Sequence, residues 1–203
     1  MRTLVIESAT EACSVALFEG GGLLAGGYEV LGRGHAERLV PMIAGLPDKG
    51  RAERIVVSLG PGSFTGVRIG LAAARALGLA WHAEVLGYPT LALVAAMARA
   101  QFPEPVTVCM TGGHGEWFVQ DFGADGLPAE TLASVKPGDA IRYGGCRVIA
   151  GSQAKAKAAQ DGVGRQALDI LPDARAFALL PVDLLTADLA PIYGRPPDAR
   201  LPA

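Results

Sequence analysis

Lysine is scarce in this chain, with 4 Lys against 14 Arg, and the 18 basic residues are outweighed by 20 Asp and Glu for a net charge of −2. The arginines are spread thinly, so no basic stripe exists of the kind that grips a phosphate backbone. If nucleic acid is involved, this chain is not its main handle. Cysteine is also rare: Cys13, Cys109 and Cys146 are far apart and form no C-x-x-C pair. That excludes a disulfide framework or a zinc site and leaves buried structural thiols. His35, His82 and His114 are isolated, so the paired histidines of a metallopeptidase are missing; His114 reads as an exposed turn residue. The longest apolar stretch, Ile69–Trp81, is broken by Arg75 and falls short of the ~18 residues a membrane span requires. The start, MRTLVIESAT, carries one Arg and too short an apolar run for a signal peptide, so the cytoplasm is the expected compartment.

What is present is apolar and small. Half of the 203 residues are hydrophobic, only 19% are charged, and the mean hydropathy is +0.31. A surplus of this kind has to be covered. TLVIES, ACSVALFEG and GLLAGGYEV read as three strands in quick succession, an antiparallel meander. In HAERLVPMIAGL, Leu39, Met42, Ile43 and Leu46 recur at helical spacing, which predicts an amphipathic helix ending near Gly45–Pro47. Pro41 should kink that helix or mark its first turn. RIVVSLG has the continuous apolar pattern of a strand buried on both faces, and EVLGY and TLALVAAMARA continue as strand and helix.

Beyond Phe102-Pro103-Glu104-Pro105 the same signals return in weaker form. VTVCMTG, GEWFVQDF and a Gly/Pro-rich stretch with GLPAETLA stand where the first half has its three strands, the first helix is poor or missing, and CRVIAG follows as a buried strand, SQAKAKAAQ as a short helix and ARAFALLPVDLLTADL as a longer one. The tail APIYGRPPDARLP, with its prolines, should lie extended over the surface. Two β-β-β-α-β-α halves, residues 1–103 and an abbreviated 104–203, describe an α/β protein of the actin-like ATPase (ASKHA, ribonuclease H-like) fold.

The stretch SLGPGSFTGVRIGLAAARALGLAW poses the functional question. Glycines ahead of a helix N-terminus can present backbone N–H groups to an anion, yet the lysine of a P-loop is missing and Ser63 or Thr65 could simply cap the helix. No G-x-S-x-G elbow is present either. Gly66, Gly70, Ala74 and Gly78 form a small-residue stripe at spacing four, beside Val67 and Leu71, which permits close approach of a neighbour. Two readings stand: the helix is covered on both sides within its own domain, or one side meets a partner. At the end of the first strand, where an actin-like ATPase holds Mg²⁺ and phosphate through an Asp, this chain has Glu7-Ser8-Ala9-Thr10. Glu7 could serve as a carboxylate ligand, although no glycine follows to let phosphate approach. A free-standing ATP-using enzyme with Glu7, Thr10, Gly62 and Ser63 around phosphate is the alternative to a non-catalytic role.

ESATEACSVALFEG, GHAERLVPMI, SLGPGSFTGVRIGLAAARALG and APIYGRPPDA, in this order, resemble the TsaB (YeaZ) family, a bacterial subunit of the tRNA threonylcarbamoyladenosine machinery. The resemblance is dense in the first half and thin between residues 105 and 185. It implies an actin-like fold without catalysis of its own, with no catalytic residue and no metal. It further implies a heterodimer with a TsaD-like transferase, joined by a TsaE-like ATPase, and a homodimer when the partner is absent. No cofactor is required, ATP or ADP can bind at a subunit junction, and tRNA is met only through the complex. The implied docking surface maps onto two helices, through His35, Leu39, Met42, Ile43 and Leu46, and through Gly66, Val67, Gly70, Leu71, Ala74 and Gly78. Two departures stand out: Glu7 replaces the family's usual Asp, and Thr111-Gly112-Gly113-His114 replaces its usual Asp-Ala-Arg.

Overall fold

The computed structural model describes residues 1–194. Strands β1 (Arg2–Glu7), β2 (Ala12–Glu19) and β3 (Gly22–Val30) form the expected meander. Helix α1 (His35–Ala44) then leads to β4 (Arg54–Ser58), α2 (Phe64–Trp81), β5 (Glu84–Tyr88) and α3 (Thr90–Arg99). The five strands make one sheet in the order β3-β2-β1-β4-β5, antiparallel through the meander and parallel from β1 to β5. Parallel neighbours need crossover connections, and α1 and α2 supply them.

The second half repeats this plan. Strands β6 (Val106–Thr111), β7 (Trp117–Phe122), β8 (Ala133–Val135) and β9 (Val148–Ala150), helix α4 (Ala154–Asp161) and strand β10 (Gln166–Leu168) follow in chain order. Their sheet order, β10-β9-β6-β7-β8, matches the first sheet strand for strand. Where α1 stands in the first half, the second has only a 3₁₀ segment, Pro137–Arg142. The abbreviation read from the sequence is therefore real, and the fold is the actin-like one.

The first sheet is covered on both faces. Its outer face, with Leu4, Ile6, Val15, Ile55 and Val57 fully buried, packs under α1 and α2. Its inner face, with Val5, Ala16, Val56 and Tyr88, shares one core with α3 and with Val106, Phe118, Phe122 and Val148 of the second half. Helix α3 is buried along most of its length because it lies between the two sheets, which accounts for the unbroken apolar run TLALVAAMA.

One predicted element is wrong. ARAFALLPVDLLTADL forms no α-helix; it makes two 3₁₀ segments, Ala174–Leu179 and Val182–Leu184. Pro181 lacks an N–H and disfavours helical geometry at Leu180, which is extended at φ −73°, ψ 132°. The apolar residues have another use: Phe177 packs edge-on against Phe18 at 5.7 Å and against Tyr88 at 6.3 Å, pinning the segment to the first sheet. Strand β10 was not foreseen, since three residues carry no periodicity. Of the tail, Ala190–Gly194 is free of regular structure, as expected, and residues 195–203 lie outside the described residues.

Candidate functional site

Two regions can do something, a cleft between the halves and the outer flank of α1 and α2. The cleft has a volume of about 800 Å³ and lies among the loops that follow β1, β4 and β6. Thr10, Gly62, Ser63 and Thr65 line one side, Thr111, Gly112 and His114 the other, and Ile192–Gly194 a third wall. The tail reaches it as a strap. Thr186 exchanges both backbone hydrogen bonds with Gly87, and the Ile192 N–H donates to Leu59 O at 2.8 Å. Arg75 reaches Leu189 O at 3.1 Å, Arg68 reaches Tyr193 Oη at 3.0 Å, and Tyr193 stacks on Phe64 at 6.0 Å.

The residues predicted around phosphate divide. Thr10, Gly62 and Ser63 do line the cleft; Glu7 does not. Its carboxyl is fully buried, accepting from the Ala9 N–H at 2.8 Å and from Tyr88 Oη at 2.9 Å. Loss of hydration pushes its pKa up to about 7. A carboxyl enclosed in this way cannot reach a magnesium ion in the cleft, so its expected role as a ligand is corrected. The glycine loop is likewise committed to its own packing. The Ser63 N–H donates to Ala9 O at 2.6 Å, the Gly66 N–H donates to Ser63 Oγ at 3.2 Å, and a side chain at Gly62 would run into the Ala9 backbone. Ser63 is thus the helix cap. Among the described residues, neither Lys nor Arg lines the cleft. These residues do not fit the magnesium–phosphate cradle that the fold holds in its ATPases. Among the described residues, no three His, Cys, Asp or Glu side chains gather as a metal would need, and no helix is long and apolar enough to cross a membrane.

The predicted docking residues also need correcting. His35, Leu39, Ile43 and Leu46 are buried, and so are Gly66, Val67, Gly70, Leu71, Ala74 and Gly78; Met42 is half-buried. They face the home sheet. A Cβ on Gly66 would strike Ser8 O, one on Gly70 would come within 2.5 Å of Ser8 Oγ, and one on Gly78 would strike Val85. The small-residue stripe therefore lets α2 lie close on β1 and β5 of its own sheet, and Ser8 Oγ donates to Gly66 O at 2.9 Å across that contact. Leu46 belongs to the turn after α1, which stops at Ala44.

The opposite side of the two helices is exposed, with Arg68 and Arg75 of α2 meeting the strap there. Val40 is 61% exposed on α1, and Leu79 is 79% exposed on α2, with Ala72, Ala76 and Ala80 exposed beside it. Helical spacing picked out the inner stripe of each helix and assigned it to a partner, whereas the structure turns it to the home sheet; the exposed Val40 and Leu79 were not singled out from the sequence. Of the three cysteines, Cys13 and Cys109 are buried as expected, while Cys146 is half-buried and outside any strand. His114 is exposed in a turn at φ 57°.

A doubled β-β-β-α-β-α plan, a central cleft and a first-strand carboxyl withdrawn from that cleft define a protein of the actin-like ATPase fold without its phosphate-binding set. The sequence model of TsaD, tRNA N6-adenosine threonylcarbamoyltransferase, matches residues 29–174. The chain belongs to the TsaB (YeaZ) family. It is 42% identical over 147 residues to the tRNA threonylcarbamoyladenosine biosynthesis protein TsaB of Escherichia coli, a match covering 68% of this chain and 63% of that protein. The TsaB of Haemophilus influenzae is 38% identical over 49% of this chain and 42% of its own length. These matches therefore span less than two thirds of the curated relatives. The solved structure of YeaZ from Pseudomonas aeruginosa superposes with a TM-score of 0.72 at 30% identity, covering 86% of this chain and 87% of that one.

Proposed function

We propose that the chain takes part in making N6-threonylcarbamoyladenosine in tRNA, as a non-catalytic subunit that binds a TsaD-like transferase through the outer flank of α1 and α2. The exposed apolar flank carries this reading: Val40 and Leu79 stand exposed on neighbouring helices that already bury a full inner stripe. The names of the relatives support the pathway, and the TsaD-like partner is what the resemblance to the TsaB family implies. Helix α2, with 18 residues, is roughly 27 Å long. Beside α1 it offers an area of the order of one side of a standard interface.

A free-standing ATP-using enzyme is disfavoured by the enclosed Glu7 and by a cleft lined, among the described residues, without Lys or Arg. In the proposed assembly no cofactor belongs to this chain alone. ATP or ADP is held at a subunit junction, a TsaE-like ATPase joins, tRNA is contacted through the complex, and the flank pairs two copies when the partner is absent. Titration calorimetry with the TsaD-like protein of the same organism tests the docking. Wild type should bind, and Val40→Glu with Leu79→Glu should abolish binding at unchanged melting temperature. Undiminished affinity in the double variant would remove the flank from the account.

A further inference from the structure

The strap that walls the cleft is fastened to the same face of α2 that the proposed docking uses. Arg68, Ala72, Arg75 and Leu79 recur at helical spacing, so they share one face of α2, and all of them are exposed. Two of these side chains hold the strap. Arg68 lies over the Phe64 ring at 3.5 Å and donates to Tyr193 Oη at 3.0 Å, and Arg75 donates to Leu189 O at 3.1 Å.

The strap is the third element of the outer surface. Helix α1 packs on β2 and α2 on β4, and the strap comes round the β5 edge, where Thr186 pairs with Gly87. Before that bridge the chain belongs to the inner core through Leu184 and Leu185; after it, Leu189 and Ile192 join the outer core with α1 and α2. A partner seated on Ala72 and Leu79 therefore covers Arg68 and Arg75 as well.

From these anchors the strap runs into the cleft. The Ile192 N–H donates to Leu59 O at 2.8 Å, and Ile192 O sits where Gly60 leaves room, since a Cβ on Gly60 would lie 2.9 Å from it. Gly194 rests on Phe118 of the second half so closely that a Cβ there would come within 2.0 Å of the ring. One wall of the cleft thus touches both halves and is held in place from α2.

The bonds that hold this wall lie at the surface, where water competes for them. An exposed guanidinium gains little from a carbonyl or a phenol, because water is an equal partner. Its contact with an aromatic face is likewise weak in water and grows when the pair is desolvated. Once covered, a guanidinium has to keep its hydrogen bonds, since a charge left buried and unpaired is costly. The strap supplies partners already in position, so the covered state favours a fastened strap.

We propose that the outer flank and the cleft are linked through Arg68 and Arg75: a protein covering the flank tightens the strap against the cleft, and loosening the strap weakens the grip on that protein. The link rests on the TsaD-like docking proposed above and adds to it a route from the docking surface to the cleft. Such a coupling is reciprocal and typically amounts to about 5–150-fold.

Hydrogen-exchange mass spectrometry on the wild-type chain, alone and saturated with the TsaD-like protein of the same organism, tests it. Docking should slow exchange at the Ile192 amide, on the cleft side of the strap, by at least about fivefold. Gly194→Val should lift the strap from Phe118 without altering the flank. It should speed that exchange in the free chain and weaken binding, measured by calorimetry, by a similar factor. Wild-type binding that leaves the Ile192 amide unchanged would overturn the link and keep the flank docking; so would a loosened strap in Gly194→Val with undiminished affinity. Failure of the wild type to bind would remove both. The wild-type exchange decides the matter even if Gly194→Val fails to fold.

Discussion

A glycine at position 70 does for α2 what no larger residue could, since its missing side chain is the space in which Ser8 Oγ lies. Overpacking of a tight contact costs about 1–3 kcal/mol. Gly70→Leu should therefore lower unfolding free energy by at least that amount in urea titrations, and Gly66→Ala should do likewise against the Ser8 backbone. Ala76→Leu, on the exposed side of the same helix, should stay within about 0.5 kcal/mol of wild type. Glu7 has a pH signature at this scale. Its folded pKa, about 7, lies above the ordinary 4.5, so from 4.5 upward the unfolded chain binds fewer protons than the folded one. Stability contributed by the neutral carboxyl is complete below pH 4.5, falls as pH rises toward 7 and is lost above it. The total loss is of the order of 3 kcal/mol. Chemical denaturation at pH 5 and pH 8 on wild type and Glu7→Gln measures that difference.

At the scale of elements, the outer flank of α1 and α2 and the strap make separable predictions. Val40 and Leu79 face solvent, so replacing both by Glu should leave the melting temperature within a degree or two. Tyr193 ties the strap to Phe64 and Arg68 at the cleft rim. Tyr193→Ala should cost about 1 kcal/mol and raise exchange at the Ile192 amide, which hydrogen-exchange mass spectrometry can follow. Periodicity made most elements legible: EVLGY and the two long helices are found where the spacing put them. It failed in 174–184, where Pro181 and the anchoring of Phe177 on a distant sheet outweigh local apolar spacing. It also could not tell whether the small-residue stripe faces the home sheet or a partner. The glycine stripe looked like a partner contact because the need for close approach is the same whether the neighbour is another chain or the home sheet.

For the whole molecule, the doubled plan was readable in the order of elements, though the two halves share no identity visible in the sequence. The matched sheet orders confirm it. The cleft was less legible. Three of its four predicted phosphate-side residues line it, but nothing in ESAT reveals that Glu7 turns inward to Tyr88, a residue 81 positions away. The central claim is that the outer flank of α1 and α2 receives a TsaD-like protein. Light scattering on an equimolar mixture of the two purified proteins measures it directly. The account predicts one species at the summed mass for wild type and separate species for Val40→Glu with Leu79→Glu. A mixture in which the double variant still assembles, or wild type does not, would contradict it.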